Sequence, residues 1–370
     1  VTSLATLWHP ERPALVATDL GELDALVVSD LSNLRWLSGF TGSAGLAVLD
    51  RDRLTLVVDG RYGEQARRQA TACGVDADVV VGATQDALVQ LLADLLGSRR
   101  VGFEAHATTV ATHQRWAAAS AAQLEPVTEV IERHRRRKGP AEIERIAEAA
   151  RIADLALAEC LDVIRPGATE AEVRNALEVR MRAHGASGPS YETIVATGPV
   201  NAALPHHRPT STIIEPGHTV VIDVGALVDG YHSDMTRTFL VGTPSDEAQV
   251  WYDLVAAAQH AGLAAVRPGV PASAVDAACR EVFAAAGVDQ WFVHGTGHGV
   301  GLLIHEDPFL HRASHHQLQV GDVVTVEPGL YRGGLGGVRI EDLVVVTSDG
   351  HRNLTTSPKD APCLPSPPTT

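Results

Sequence analysis

The sequence predicts an α/β domain followed by an α+β domain that carries an internal duplication. Three observations support this. At 370 residues the chain has room for about two domains of ~150 residues each. Its first third alternates short apolar runs with amphipathic stretches, the pattern of strands interleaved with helices. Beyond residue 140, landmarks recur about 100 residues apart. A hydrophobic share of 45% supplies a sizeable core and excludes a globally disordered chain.

The α/β domain is expected over 1–128. Segments 24–29 (DALVVS), 46–49, 54–58 and 101–104 read as strands, and 61–72, 85–96 and 110–122 as helices. The charged run ERHRRRKGP lies in 129–140, which reads as a linker. A helix follows from Ala141, with Glu142 and Glu144 in its first turn where the helix dipole favours acids. The α+β domain is expected over 141–356. The segment 357–370 holds five prolines and reads as a frayed tail.

Within 141–356, Arg165-Pro166-Gly167 ends one helix and precedes another running to Gly185. Arg267-Pro268-Gly269 does the same before a helix running to Gly287, so both landmarks repeat after 102 residues. Downstream, EPGHTVVIDVG (215–225) resembles QVGDVVTVEPG (319–329), which sets Asp223 opposite Glu327. Asp234 in HSDMTRTF and Glu341 in VRIEDLVV occupy similar places, and His206 matches His305 loosely. So long a repeat is no solenoid unit. It predicts two α+β halves about a pseudo-twofold axis, on which the repeated acids converge.

Asp223 (VVIDVG) and Glu327 (VVTVEP) stand among apolar strand residues, where an ionised carboxylate is costly without a cation or hydrogen bonds. Asp234 follows Asp223 by 11 residues across the turn Asp229-Gly230-Tyr231. Glu341 follows Glu327 by 14 across the glycine-rich loop 332–337, so two hairpins each deliver a pair of acids. Four carboxylates in one cavity cannot all ionise without cations. Two divalent metal ions neutralise them, a usual arrangement for hydrolysis. His298 in FVHGTGHGVG adds a nitrogen ligand, and its glycine neighbours permit close backbone approach. One nitrogen among many oxygens favours Mn²⁺ or Co²⁺ over Mg²⁺ or Zn²⁺.

The formal charge is −15, from 30 Lys+Arg against 45 Asp+Glu, which argues against nucleic acid or anionic membranes as partners. Cys73, Cys160, Cys279 and Cys363 form no C-x-x-C pair and read as thiols of a reducing compartment. The first twenty residues lack a basic segment followed by an apolar one, and no apolar run reaches the ~18 residues of a membrane span. A cytoplasmic location is expected.

Taken together, NAALPHHRP, VVIDVGALVDGYHSDMTRTF, HGTGHGVGLLIHEDP, VVTVEPGLY and GGVRIEDLVVV resemble the M24 metallopeptidase family, the prolidase and aminopeptidase P group. NLRWLSGFTGS (33–43) looks like the creatinase-type N-terminal domain of that group, and RRRKGPAEIERIAEAARIAD also fits. The resemblance implies a creatinase-like α/β N-terminal domain and a pita-bread catalytic domain. It implies that Asp223, Asp234, His298, Glu327 and Glu341 bind a dinuclear centre, with Asp234 and Glu341 bridging and His298 on one metal. It implies that His206 and His305 line the substrate site and stabilise the tetrahedral intermediate. Arg339 and His294 match residues of the substrate pocket and its surroundings. In this scheme a metal-bridging hydroxide attacks, and Glu327 carries its proton to the leaving nitrogen. A homodimer is implied as well. His207, His315 and His316 have no motif behind them and are expected at the surface.

The implied function is hydrolysis of the bond before proline at the N-terminus of short peptides, as an Xaa-Pro dipeptidase. The alternative is an Xaa-Pro aminopeptidase acting on longer peptides. A more distant one is a binding protein on the same fold, although such proteins typically lose ligands and all five stand here. Methionine aminopeptidases separate their last two glutamates more widely, and creatinase-like hydrolases lack the full ligand set. One departure concerns Phe309, which stands where some prolidases carry an arginine, so that carboxylate anchor is not carried over.

Overall fold

The computed structural model describes residues 4–360 and 362–364, so half of the proline-rich end expected as a frayed tail lies outside the described residues. Of the other half, Ser357 is bonded to Asp154 and Cys363–Leu364 pairs with strand Thr236–Val241, partners too distant in sequence to be foreseen. The chain divides into two units, Val1–Arg135 and Arg136–Thr370.

The first unit is built on a six-stranded sheet in the order Ala77–Gly82, Leu54–Asp59, Leu46–Asp50, Ala25–Val28, Arg100–Glu104, Gln123–Val127. Ala25–Val28 is buried at every position, as a central strand covered on both faces must be. It runs antiparallel to Leu46–Asp50 and parallel to Arg100–Glu104. The expected helices form at Gly63–Ala72, Gln85–Leu96 and Val110–Ala119, the last two capped by Thr84 and Thr109. The edge strands Ala77–Gly82 and Gln123–Val127 were not expected. Both are largely only part-buried, as edge strands are. A further helix, Leu31–Ser38, lies within the NLRWLSGFTGS stretch. Asp30 accepts from the Asn33 amide at its start, and Gly39 closes it at φ 76°.

In the second unit one order of elements occurs twice. Helices Pro140–Ala158 and Glu170–Ala183 precede the first set of strands, and Asp246–Ala265 and Ala272–Ala285 precede the second. The helices Glu170–Ala183 and Ala272–Ala285 begin and end 102 residues apart. Strand Thr219–Asp223 pairs antiparallel with Thr236–Val241, placing Thr236 opposite Asp223. Strand Val323–Val326 pairs likewise with Asp342–Val346, placing Asp342 opposite Val326. Between them sit the hairpin Ala226–Val228/Tyr231–His232, turned by Asp229 and Gly230 at positive φ, and the hairpin Gly329–Arg332/Gly336–Arg339. Trp251, Val255, Val275, Cys279, Phe283, Val324 and Val344 bury the helices against the second sheet. Each such side chain contributes roughly 1.5–3 kcal/mol.

The charged run within 129–140 does more than connect. Glu132–Arg135 forms a helical turn. Arg136 pairs with the fully buried Asp322 at 2.7 Å, and Lys138 with Glu306 at 2.6 Å. A basic run reads as solvated in sequence, but buried acids distant in the chain can pair with it. Among the described residues, no helix is long and apolar enough to cross a membrane.

Candidate metal centre

Short strands and their ends bring the five expected ligands together. Asp223 closes Thr219–Asp223, Asp234 stands just before Thr236–Val241, and His298 is the middle residue of Gly297–Gly299. Glu327 follows Val323–Val326, and Glu341 precedes Asp342–Val346. The glycines beside His298 serve close approach. A Cβ on Gly297 would lie 2.1 Å from the Thr325 carbonyl oxygen, and one on Gly299 2.4 Å from that of Asp307.

Ligand atoms of Asp234, His298 and Glu341 all lie within 4.8 Å of one another. The His298 Nε2 atom is 3.5 Å from Asp234 Oδ2 and 3.4 Å from Glu327 Oε1. His298 Nδ1 stands 3.1 Å from the Gly299 carbonyl oxygen, an acceptor, so Nδ1 carries the hydrogen and Nε2 offers its lone pair to the acids. The Tyr191 hydroxyl meets Asp223 Oδ1 and also Asp234 Oδ1, the latter at 2.5 Å. One hydroxyl proton cannot serve both carboxylates, so the pair is short of positive charge. Arg339 Nη2 donates to Asp223 Oδ2 at 2.7 Å.

The electrostatics agree with that shortage. Burial and the neighbouring carboxylates of Asp223 and Glu327 hold the Asp234 carboxyl well above its usual range. Glu341 is raised likewise by burial and by Asp234, Glu327 and Asp223. Burial pushes Glu327 up to about 8, although Arg339 opposes the shift. His298 falls to about 4 through burial and the nearby His305, which keeps it neutral as a ligand must be. Thr236 Oγ1 donates to Glu341 Oε2 at 2.7 Å, whereas the buried Oε1 of Glu341 has no hydrogen-bond partner. Four crowded carboxylates, one neutral imidazole and an orphaned buried oxygen fit hard divalent cations.

These groups open onto a cavity of about 420 Å³ whose wall includes His206, His294, His298, His305, Glu327, Arg339, Ile194 and Phe309. His298 and His305 meet edge to face, with centroids 4.4 Å apart. Burial and His206 lower the His305 pKa. His294 is held by a chain of donors. Arg339 Nη1 donates to the Tyr331 hydroxyl at 2.7 Å, and Tyr331 donates to His294 Nε2 at 3.0 Å. The opposite ring nitrogen of His294 donates to the Gly295 carbonyl at 2.7 Å. Burial and Arg339 push His294 down to about 3.

Of the three histidines expected at the surface, His315 is exposed, His316 is part-exposed but paired, and His207 is largely buried. His207 Nε2 is 2.9 Å from the fully buried Glu170, and half-buried His316 lies 3.1 Å from Asp307 and 3.0 Å from Arg136. Their partners are 37 and 180 residues away for Glu170 and Arg136, so no local pattern marks them. Sequence reasoning also missed Tyr191, Tyr331 and Thr236, which bind the acids or their partners. Tyr331 stands inside VVTVEPGLY and Thr236 inside HSDMTRTF, so proximity to the acids was the available signal.

The chain matches metallopeptidase family M24 over residues 144–348 and the creatinase/prolidase N-terminal domain over residues 17–136. It is 42% identical to an uncharacterized peptidase of Bacillus subtilis, YqhT, across 91% of this chain and 95% of that protein. It is similar to the structure of an Xaa-Pro dipeptidase from Bacillus anthracis, with TM-score 0.90 and 37% identity over 96% of this chain and 98% of that one. It is also similar to an X-Pro aminopeptidase from Thermotoga maritima, with TM-score 0.84 and 31% identity over 95% and 100% of the two chains. On these grounds the chain belongs to metallopeptidase family M24, with a creatinase-type N-terminal domain followed by a pita-bread catalytic domain.

Proposed function

We propose that the chain is an Xaa-Pro dipeptidase that uses two divalent metal ions, Mn²⁺ or Co²⁺, to hydrolyse the bond before proline in short peptides. The observation that carries this reading is the meeting of Asp223, Asp234, His298 and Glu327 at one cavity that His206 and His305 also line, with Glu341 grouped behind it with Asp234 and His298. Those five residues would hold the metals. Bound there, the ions would supply Lewis acidity toward the scissile carbonyl and acidify water.

The protein's own groups account for the remaining steps. Glu327, on the cavity wall beside the acid cluster, takes a proton from the attacking water and releases it to the proline nitrogen as the bond breaks. That transfer matters because the bond before proline is a tertiary amide whose nitrogen leaves poorly unless protonated. His305, kept neutral by burial and His206, donates an N–H to the carbonyl oxygen as negative charge grows there, and His206 shares that role. Neutral His294, fixed by Tyr331 and Arg339, shapes the substrate wall. A bond before proline offers no N–H to a protease, so recognition falls to the ring, which Ile194 and Phe309 can pack against.

The same reading includes three further points. An internal duplication of the catalytic domain is supported by the twofold recurrence of its element order. A reducing cytoplasmic setting is supported by four free cysteines. A homodimer is open to light scattering. The activity is tested by reconstituting metal-stripped protein with Mn²⁺ or Co²⁺ and assaying Gly-Pro beside Xaa-Pro-Xaa tripeptides. Cleavage of the dipeptide alone is the expected result. Cleavage of tripeptides in preference would favour the aminopeptidase reading, which the Thermotoga likeness keeps as second choice. Cleavage of neither would overturn the peptidase reading.

A further inference from the structure

We propose that Arg208 takes the free C-terminal carboxylate of the substrate and so sets the preference for dipeptides over longer chains. The inference rests on the dipeptidase reading and adds to it the residue that determines substrate length.

The loop that carries Arg208 is clamped from below. Glu170 is fully buried and accepts from the Thr197 amide at 2.8 Å, Asn201 Nδ2 at 3.0 Å, and the amide and hydroxyl of Thr210 at 2.9 and 2.8 Å. His207 Nε2 meets the same carboxylate at 2.9 Å. Burial then alternates along the loop. His207 is half-buried against Glu170, whereas His206 and Arg208 on either side of it are exposed. Both exposed residues line the cavity that holds Asp223, Asp234 and Glu327.

Among the described residues, two arginines and no lysine belong to that cavity wall. Arg339 is 3% exposed and spends its donors on Asp223, Tyr331, Thr236 and the Pro205 carbonyl. The Arg208 side chain is 84% exposed and meets Glu192 Oε2 at 3.3 Å. An exposed pair of this kind contributes little to stability. A substrate carboxylate can therefore replace Glu192 at small cost, and a guanidinium offers it two parallel hydrogen bonds.

The chemistry of the substrate makes such a cation discriminating. In a dipeptide ending in proline, the carboxylate sits on the carbon bonded to the scissile nitrogen, so it must face the wall of the same cavity. In a longer peptide that group is an uncharged amide. Phe309, on the same wall, can pack against a ring but cannot pair with an anion.

The test compares Gly-Pro with Gly-Pro-amide, a neutral isostere, on the metal-loaded full chain. Wild-type protein should prefer the acid by about ten-fold or more in kcat/KM, with the difference in KM. Arg208→Gln should collapse that ratio toward one, Arg208→Lys should restore part of it, and high salt should shrink it in the wild type. Unchanged thermal unfolding midpoints would show that both variants fold. An acid-to-amide ratio that Arg208→Gln leaves intact would overturn the assignment of Arg208. Failure of the wild type to cleave either substrate would instead overturn the dipeptidase reading, and the inference with it.

Discussion

Glu341 and Asp342 are neighbours in the chain and are each 1% exposed, yet their surroundings pull their charges in opposite directions. Glu341 faces Asp234, Glu327 and Asp223, and burial together with those acids holds its carboxyl well above the usual range. For Asp342, burial also works to raise the pKa, but Arg237 and Lys359 outweigh it and hold the carboxyl low. Arg237 Nη2 donates at 2.8 Å, Gln259 at 2.9 Å, Thr355 at 3.0 Å, and Lys359 completes the set. Asp342 is a carboxylate that the protein satisfies by itself. Glu341 is one that the protein leaves wanting, with an oxygen that has no partner. Burial alone therefore does not mark a functional acid. Burial among other acids, with neither a cation nor enough hydrogen bonds, does.

The comparison breaks most visibly at the metal site. Asp234→Ala should lower kcat/KM on Gly-Pro by about a thousand-fold or more while circular dichroism stays native, because it removes a group shared by the acid cluster. Retained turnover would mean that the cluster is not the reactive centre. Next in size is the contrast between the two neighbours in metal-stripped protein. Asp342→Asn should destabilise by about 3 kcal/mol or more, since it leaves Arg237 buried without its partner. Glu341→Gln should instead stabilise the metal-stripped protein, since a neutral amide does not have to take up a proton to be buried among the other acids, and should abolish the stabilisation that added Mn²⁺ gives. Urea unfolding of both variants checks this, and shifts of the same sign would refute the contrast.

A pH dependence follows from the same cluster. Glu327 has a pKa of about 8 in the folded chain against an ordinary 4.5, so the folded state holds its proton more tightly than the unfolded state does. Its contribution is fully present below about pH 4.5 and is lost as the pH rises through about 8. Asp234 and Glu341 shift in the same direction. Metal-stripped protein should therefore lose thermal stability as the pH is raised from about 5 to 8, and Mn²⁺ should flatten the slope. A midpoint that rises over that interval without metal would contradict the acid cluster.

The acids were legible because each interrupts or abuts an apolar strand, where a charge is conspicuous. Asp223 after TVVI and Glu327 after VVTV are of this kind. The hairpin turn at Asp229-Gly230 and the glycines around His298 were legible for the same reason, since each breaks a local rule. What escaped was the hydrogen-bonded surroundings. Tyr191 reaches acids 32 and 43 residues on, and Glu170 gathers partners from Thr197 to Thr210. No period or spacing encodes such contacts. His207 escaped because a histidine in a polar loop looks solvated until its partner is known. The helix Leu31–Ser38 escaped because its eight residues offer too few turns for a clear apolar stripe.

The central claim is that Asp223, Asp234, His298, Glu327 and Glu341 together form a dinuclear peptidase centre. Titrating metal-stripped protein with Mn²⁺, while following both bound metal and Gly-Pro hydrolysis, tests it most directly. Two ions should bind per chain, with hydrolysis appearing as the sites fill. Hydrolysis by the metal-free chain, or saturation without a second ion, would contradict it.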